Sequence, residues 1–191
     1  MKQYLLPRFS VFIFLLAGMM VIAYSCKKDN GSTGDDSGYY MRFKINGTQV
    51  EYKGQVEGTF NKVTALQHNT SVAGLKEALV AGKNNMTLLL ATDDDTQTGL
   101  SYTSYTTSAS GMQKAKLANI VYKDEGGSDY LSWMEEFSPT LPSGTETNAV
   151  IKITEAASGY IKGNFSGVMY NADYSKKLNI TDGEFYARRF N

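Results

Sequence analysis

The one histidine of the chain, His68, lies in the polar run Gln67-His68-Asn69-Thr70. A serine or cysteine hydrolase needs such a base beside its nucleophile. The run reads as a loop carrying a solvated imidazole, and no G-x-S-x-G elbow accompanies it. Two carboxylates across a cleft are the other route to hydrolysis, sufficient for a glycosidic bond. Asp124, Glu125, Asp129, Glu135 and Glu136 are the candidates, close in sequence to Tyr130 and Trp133, whose rings could stack on a sugar. Spacing alone brings no two of these acids together, and charged strand ends and loops explain them as well. Asp93-Asp94-Asp95 invites a calcium reading, but adjacent acids lack the alternating oxygen ligands and the glycine turn of a calcium loop. No glycine-rich loop between a strand and a helix offers a phosphate cradle. One Cys and one His also exclude a disulfide framework and a Cys/His zinc site of the usual composition. No catalytic residue, metal or cofactor is assigned on these grounds, and an enzyme is not expected.

The aromatic surplus is the more informative chemistry. The chain carries 13 Tyr and 9 Phe, and tyrosine presents a large flat surface at low entropic cost. Tyr122, Tyr130, Trp133 and Tyr160 are the candidate ligand-binding residues. Alternation puts Tyr160 on one face with Lys162, Asn164 and Ser166, opposite Ile161 and Phe165. The competing explanation is that tyrosine is a good strand former and often edges a core. Nineteen basic residues balance nineteen acidic ones, so the chain lacks the basic excess that marks a nucleic-acid partner.

What must position these residues begins with the N-terminus. Met1 to Arg8 carries two bases and no acid, and Phe9 to Ala23 then runs 15 residues without a charge. A bilayer-spanning helix needs about 20 apolar residues, so the run fits the core of a signal peptide better than a permanent anchor. The apolar run stops at Ala23-Tyr24-Ser25-Cys26, where the only cysteine sits. Ser25-Cys26 resembles a bacterial lipoprotein signal, in which a small residue precedes the cysteine that is lipidated. That resemblance implies residues 1–25 as leader, a lipid anchor on Cys26, and an outer-membrane address in a Gram-negative-type envelope. A single membrane anchor, or a leader cut elsewhere with an incidental Cys26, is the alternative.

Residues 26–38 follow as a tether: Lys27 to Gly38 contains no apolar residue and cannot repay the entropy of ordering. Its lysines and acids resemble the export signals of Bacteroidetes-type surface lipoproteins, with Asp29 near Cys26 and Asp35-Asp36 farther on. The surface and periplasmic faces both stay open.

Residues 39–191 read as one all-β domain of roughly ten strands, either an antiparallel sandwich or a lipocalin-like barrel. Met41, Phe43 and Ile45 alternate with Arg42, Lys44 and Asn46, and Asn46-Gly47 follows. A two-residue turn there pairs Phe43 with Val50, Met41 with Tyr52, Lys44 with Gln49 and Arg42 with Glu51. The same logic at Asp182-Gly183 predicts a hairpin pairing Ile180 with Phe185 and Leu178 with Ala187. Further strands are predicted over Ala78–Ala81, Met86–Ala91, Leu100–Thr106, Lys116–Lys123, Ala149–Thr154 and Tyr160–Tyr170. The spacing of Val72, Leu75 and Leu79, and of Tyr130, Trp133, Met134 and Phe137, leaves short helices open over 71–82 and 130–137.

Three stretches together resemble a family of small Bacteroidetes-type lipoproteins with an all-β domain of unknown function. They are Phe43 to Gly47, Ile151 through Gly167, and Asn179 to Phe185. The resemblance rests on strand and turn chemistry and implies no catalytic residues. The expectation is a non-catalytic envelope lipoprotein that binds a glycan, an envelope protein or a small apolar ligand, or supports an assembly. A carbohydrate-active hydrolase and a lipocalin-like carrier are the alternatives.

Overall fold

Alternation becomes architecture first at the hairpin of β1 (Tyr40–Ile45) and β2 (Thr48–Tyr52). All four expected pairs form, with Ile45 opposite Thr48 closing the turn. Asn46 and Gly47 take φ of 49° and 85°, the left-handed pair that a type I′ turn demands. Met41 and Phe43 point inward and are fully buried, while Arg42 is exposed and Lys44 half-buried on the other face.

The structure is a computed structural model that describes residues 38–64, 67–92, 96–103, 117–132, 142–146 and 148–190. All of these lie in one compact unit, Gly34–Asn191. Its elements after β2 are β3 (Gln55–Thr64), β4 (Gln67–Leu75), β5 (Asn85–Thr92), β6 (Ser101–Thr103), β7 (Leu117–Lys123) and β8 (Asp129–Leu131). β9 (Val150–Ala156), β10 (Tyr160–Asn171) and β11 (Lys177–Phe190) complete the set, and no helix occurs among the described residues. The protein is all-β, as expected.

The pairings form a ring. β3, β4, β5 and β7 follow one another, β7 reaches β10 through β8 at one end and through β6 and β9 at the other, and β10 returns to β3 through β11. The sheet is therefore a closed barrel, with β1 and β2 laid on the free part of β11's edge. It is not purely antiparallel: β11 meets β3, and β6 meets β7, in short parallel pairings.

Several expectations need correcting. Asp182-Gly183 makes no hairpin, because β11 runs straight through it. Asp182 does take a positive φ of 51°, but the strand uses it as a bulge. Three residue steps on β11, from Glu184 to Thr181, span two steps on β1, from Arg42 to Lys44; the stretch from Gly183 to Ile180 does the same against Phe165 to Gly167 on β10. With a partner on each edge, β11 cannot fold back, so Ile180 pairs with Ile45 and Gly167 rather than with Phe185. Ala78–Ala81 is a turn rather than a strand, and Ser71–Leu75 belongs to β4 rather than to a helix. Residues 76–78 press against Gly54, where a side chain would strike their backbone, and Leu79 is held at φ 64°. His68 lies on β4, paired with Lys62 and Thr92, rather than in a loop. The predicted strand residues 104–106 and 116, and the second half of the 130–137 alternative, lie outside the described residues.

The barrel is filled. Phe43 on β1 meets Tyr52 at 5.4 Å, Phe165 at 5.8 Å and Tyr122 of β7 at 6.3 Å between ring centres, so rings from separate parts of the wall touch across the interior. Each fully buried large apolar side chain contributes about 1.5–3 kcal/mol. Where β10 and β11 pair, Gly163 faces Phe185 and Phe165 faces Gly183. Each ring occupies the space a Cβ on the opposite glycine would need.

Candidate functional site

The same bulges that bend the wall also sort its outward side chains into rows. On β9, Thr154 is an extra residue, since Lys162 pairs with Glu155 while the adjacent Gly163 pairs with Ile153. That extra residue brings Lys152 and Glu155, three apart in sequence, to the outer face together. One row then crosses four strands as Tyr40, Tyr186, Lys162 and Glu155, and the next as Arg42, Glu184, Asn164 and Lys152. A third holds Lys44, Thr181 and Asp182, Ser166 and Val150.

The first row is an aromatic and ionic cluster. Tyr186 is the hub, with ring centres 4.8 Å from Tyr39, 6.3 Å from Tyr40 and 5.5 Å from Tyr160, all edge-on. The Lys162 ammonium stands 4.9 Å from the Tyr160 ring and 5.0 Å from that of Tyr186, and the Arg42 guanidinium stands 4.6 Å from Tyr40. Glu155 accepts hydrogen bonds from the Tyr160 phenol and, at 2.9 Å, from Lys162. The Tyr160 phenol first, and Lys162 second, hold the Glu155 carboxyl below the usual carboxylate range. Glu155 in turn raises both Tyr160 and Lys162 above their ordinary values. The result is a pre-ordered patch of four tyrosines whose charges are fixed in place.

The second and third rows line an open groove of about 670 Å³. On its β11 side the acids are neutralised, Glu184 by Arg42 and Asp182 by Lys44 at 2.8 Å. Toward β9 and β10 the groove presents Lys152, Asn164, Ser166 and Val150. Val150, 39% exposed, is one of the few large apolar side chains left open to solvent.

The four candidate tyrosine and tryptophan positions separate. Tyr160 stands in this patch, half-buried on the outer face. Tyr122 and Tyr130 are only 7% and 4% exposed; their rings pair at 6.0 Å inside the barrel, so they serve packing and are not placed to meet a ligand at the surface. The reason is register: β7 and β8 pair Tyr122 with Tyr130 on the inward face. Trp133, Cys26, Glu135, Glu136 and Asp93 to Asp95 lie outside the described residues. Of the remaining acids, Asp124 accepts the Ser128 amide at 2.8 Å, Asp129 pairs with Lys123 at 2.6 Å, and Glu125 is exposed in the turn. Among the described residues no group of three His, Cys, Asp or Glu is gathered for a metal. His68 borders a second, smaller hollow of about 300 Å³ with Lys62, Thr70, Thr96 and Arg189.

Sequence reasoning missed Tyr39, Tyr40, Tyr186, Arg42 and Lys152. The outward alternation of Tyr40, Arg42 and Lys44 was readable; their meeting with Tyr160 depends on β11 lying between β1 and β10. No protein-family model, curated protein or solved structure matches the chain.

Proposed function

We propose that the protein is a lipid-anchored, non-catalytic recognition module of a bacterial outer membrane, carried on Cys26 and spaced from the bilayer by residues 26–38. It meets its partner with the outer face of β1, β11, β10 and β9. The observation that carries this reading is the half-buried cluster of Tyr39, Tyr40, Tyr160 and Tyr186 at the surface, ordered by cations and carboxylates beside an open groove. Aromatic surface of this kind is enriched where proteins recognise partners. A catalytic role is disfavoured by the state of the groove's acids. Glycoside hydrolysis needs two carboxyls facing each other across a cleft, whereas Asp182 and Glu184 each face a base on β1. A lipocalin-like carrier needs an empty apolar chamber, and the ring contacts across this barrel occupy that space. Among the described residues no helix is long and apolar enough to cross a membrane; the anchor in this reading is the lipid.

The test uses cells expressing the full chain with a photo-crosslinking residue at Tyr160, and in parallel at Glu77, an exposed position outside the groove and the tyrosine cluster. The expected outcome is an adduct with one envelope component from position 160 and none from 77. Lipid labelling of the native chain, lost in Cys26→Ala, checks the anchor. Equal adducts from both positions, or none, would sink the recognition surface; an unlabelled native chain would sink the address.

A further inference from the structure

The described chain begins inside the tyrosine cluster. Gly38 is exposed, and Tyr39 and Tyr40 follow it directly, both edge-on to the Tyr186 ring as β1 starts. Cys26 stands twelve residues before Gly38, and a chain of that length spans at most about 40 Å when fully extended. With the anchor on Cys26, as proposed above, the cluster stays within reach of the bilayer. A contact too weak to hold a free domain gains from such a tether, because the second contact is then intramolecular, at an effective concentration of roughly millimolar.

The chemistry of the face suits that surface. Tyrosine is at home at the level of lipid headgroups, where its ring meets apolar matter and its hydroxyl stays wet. Lys162 covers the Tyr160 and Tyr186 rings, and Arg42 that of Tyr40, so the ring faces on which a sugar would stack are taken. A headgroup layer needs only ring edges and hydroxyls, and it accepts basic side chains whose stems lie along apolar surface. Charge is cancelled in pairs across the face: Lys162 with Glu155, Arg42 with Glu184, Lys44 with Asp182 and Lys53 with Glu51. Paired charges cost less to bring out of water than single ones. Arg188 and Lys152 are exposed on the same face and can meet lipid phosphates. Val150 and Phe190, 39% and 36% exposed, stand at its opposite ends: Val150 lies across from Ser166, and Phe190 lies beyond Arg188, which pairs with Tyr160. A protein partner wants its apolar anchors gathered at one centre, whereas a bilayer takes them spread out.

We infer that the tyrosine face of β1, β11 and β10 lies against the phospholipid surface that holds the anchor, with Tyr39, Tyr40, Tyr160 and Tyr186 at headgroup depth. The inference rests on the anchor and the face proposed above and names the partner of that face.

The experiment uses the full, lipidated chain in vesicles of phosphatidylcholine and phosphatidylethanolamine with no other protein, carrying a photo-crosslinking residue at Tyr160 or at Glu77. Position 77 is two residues from Leu79, which is 76% exposed, and so tests the rival apolar seat. A lipid adduct from position 160, and at least about ten-fold less from 77, is expected. Tyr39→Ser combined with Tyr40→Ser should cut the adduct at 160 at least about ten-fold, the scale of two half-buried rings losing an apolar contact. Arg188→Glu, an exposed change that leaves the core untouched, should cut it as well. Equal adducts from 160 and 77, more from 77, or indifference of position 160 to both variants overturns the seat. If position 160 gives no lipid adduct in vesicles but crosslinks an envelope protein in cells, the bilayer is the wrong partner and the recognition face stands. If it gives neither, both fall.

Discussion

Tyr52 carries a hydroxyl into the barrel, where its ring is 1% exposed and packs edge-on against Phe43. That hydroxyl approaches the hydroxyl of Tyr122 but makes no hydrogen bond of acceptable geometry. A buried polar atom left unpaired costs about 1–3 kcal/mol, and removing it without changing shape recovers part of that. Tyr52→Phe is therefore expected to raise the unfolding free energy by about 1 kcal/mol, measured by denaturant titration at neutral pH. Burial first, and the Tyr122 hydroxyl second, push the Tyr52 phenol well above its ordinary value. The unfolded phenol then ionises before the folded one, so this contribution is complete below about pH 10 and is lost as the pH rises beyond it. Stability of the native chain should fall above about pH 10 more steeply than that of Tyr52→Phe. Equal slopes would show that the Tyr52 phenol is not insulated from water.

Strands explain where sequence reading succeeded and where it failed. The β1–β2 hairpin was legible because Asn46-Gly47 fixes the register and because both faces agree, apolar with apolar and Arg42 with Glu51. Asp182-Gly183 carries the same local signal and does something else, since positive φ serves a bulge as readily as a turn. What decides between them is whether both edges of the strand are taken, and that is not written locally. β3 and β4 escaped notice because small or polar residues interrupt the inward series to which Val56 and Val72 belong. Gly58, Thr70 and Gly74 are buried there, and Gly74 lies where the Met41 side chain passes. At the β10–β11 crossing the two glycines opposite phenylalanines are equally specific. Gly183→Ala would set a methyl against the Phe165 ring and carbonyl. A loss of about 1–3 kcal/mol is expected from such overpacking. A variant as stable as the native chain in denaturant titration would refute the close approach.

Seen as one object, the barrel depends on β11. It pairs with β10 along nearly its whole length, with β1 on the first part of its other edge and with β3 at its end. Opening β11 therefore undoes the ring, whereas among the described residues β2 pairs with β1 alone. Native-state hydrogen exchange should find the amides of Ile180 to Tyr186 among the slowest, exchanging only through global unfolding. Amides of β2 and of residues 76–84 should exchange through local openings. Faster exchange in β11 than in β2 would remove it from this central place. The same strand accounts for how little of the site was legible. Tyr160 was readable from its own alternation, but Tyr40 and Tyr186 join it only once β11 has been placed between β1 and β10.

There is a temporal side to this arrangement. β11 follows β1, β3 and β10 in the chain, so none of those strands can be locked into the ring before it arrives. A chain threaded through a membrane from its N-terminus would keep its earlier strands unclosed while they pass, because contacts between distant segments form late. Residues 177–190 thus act as a clasp, and the ring shuts only when that strand has arrived.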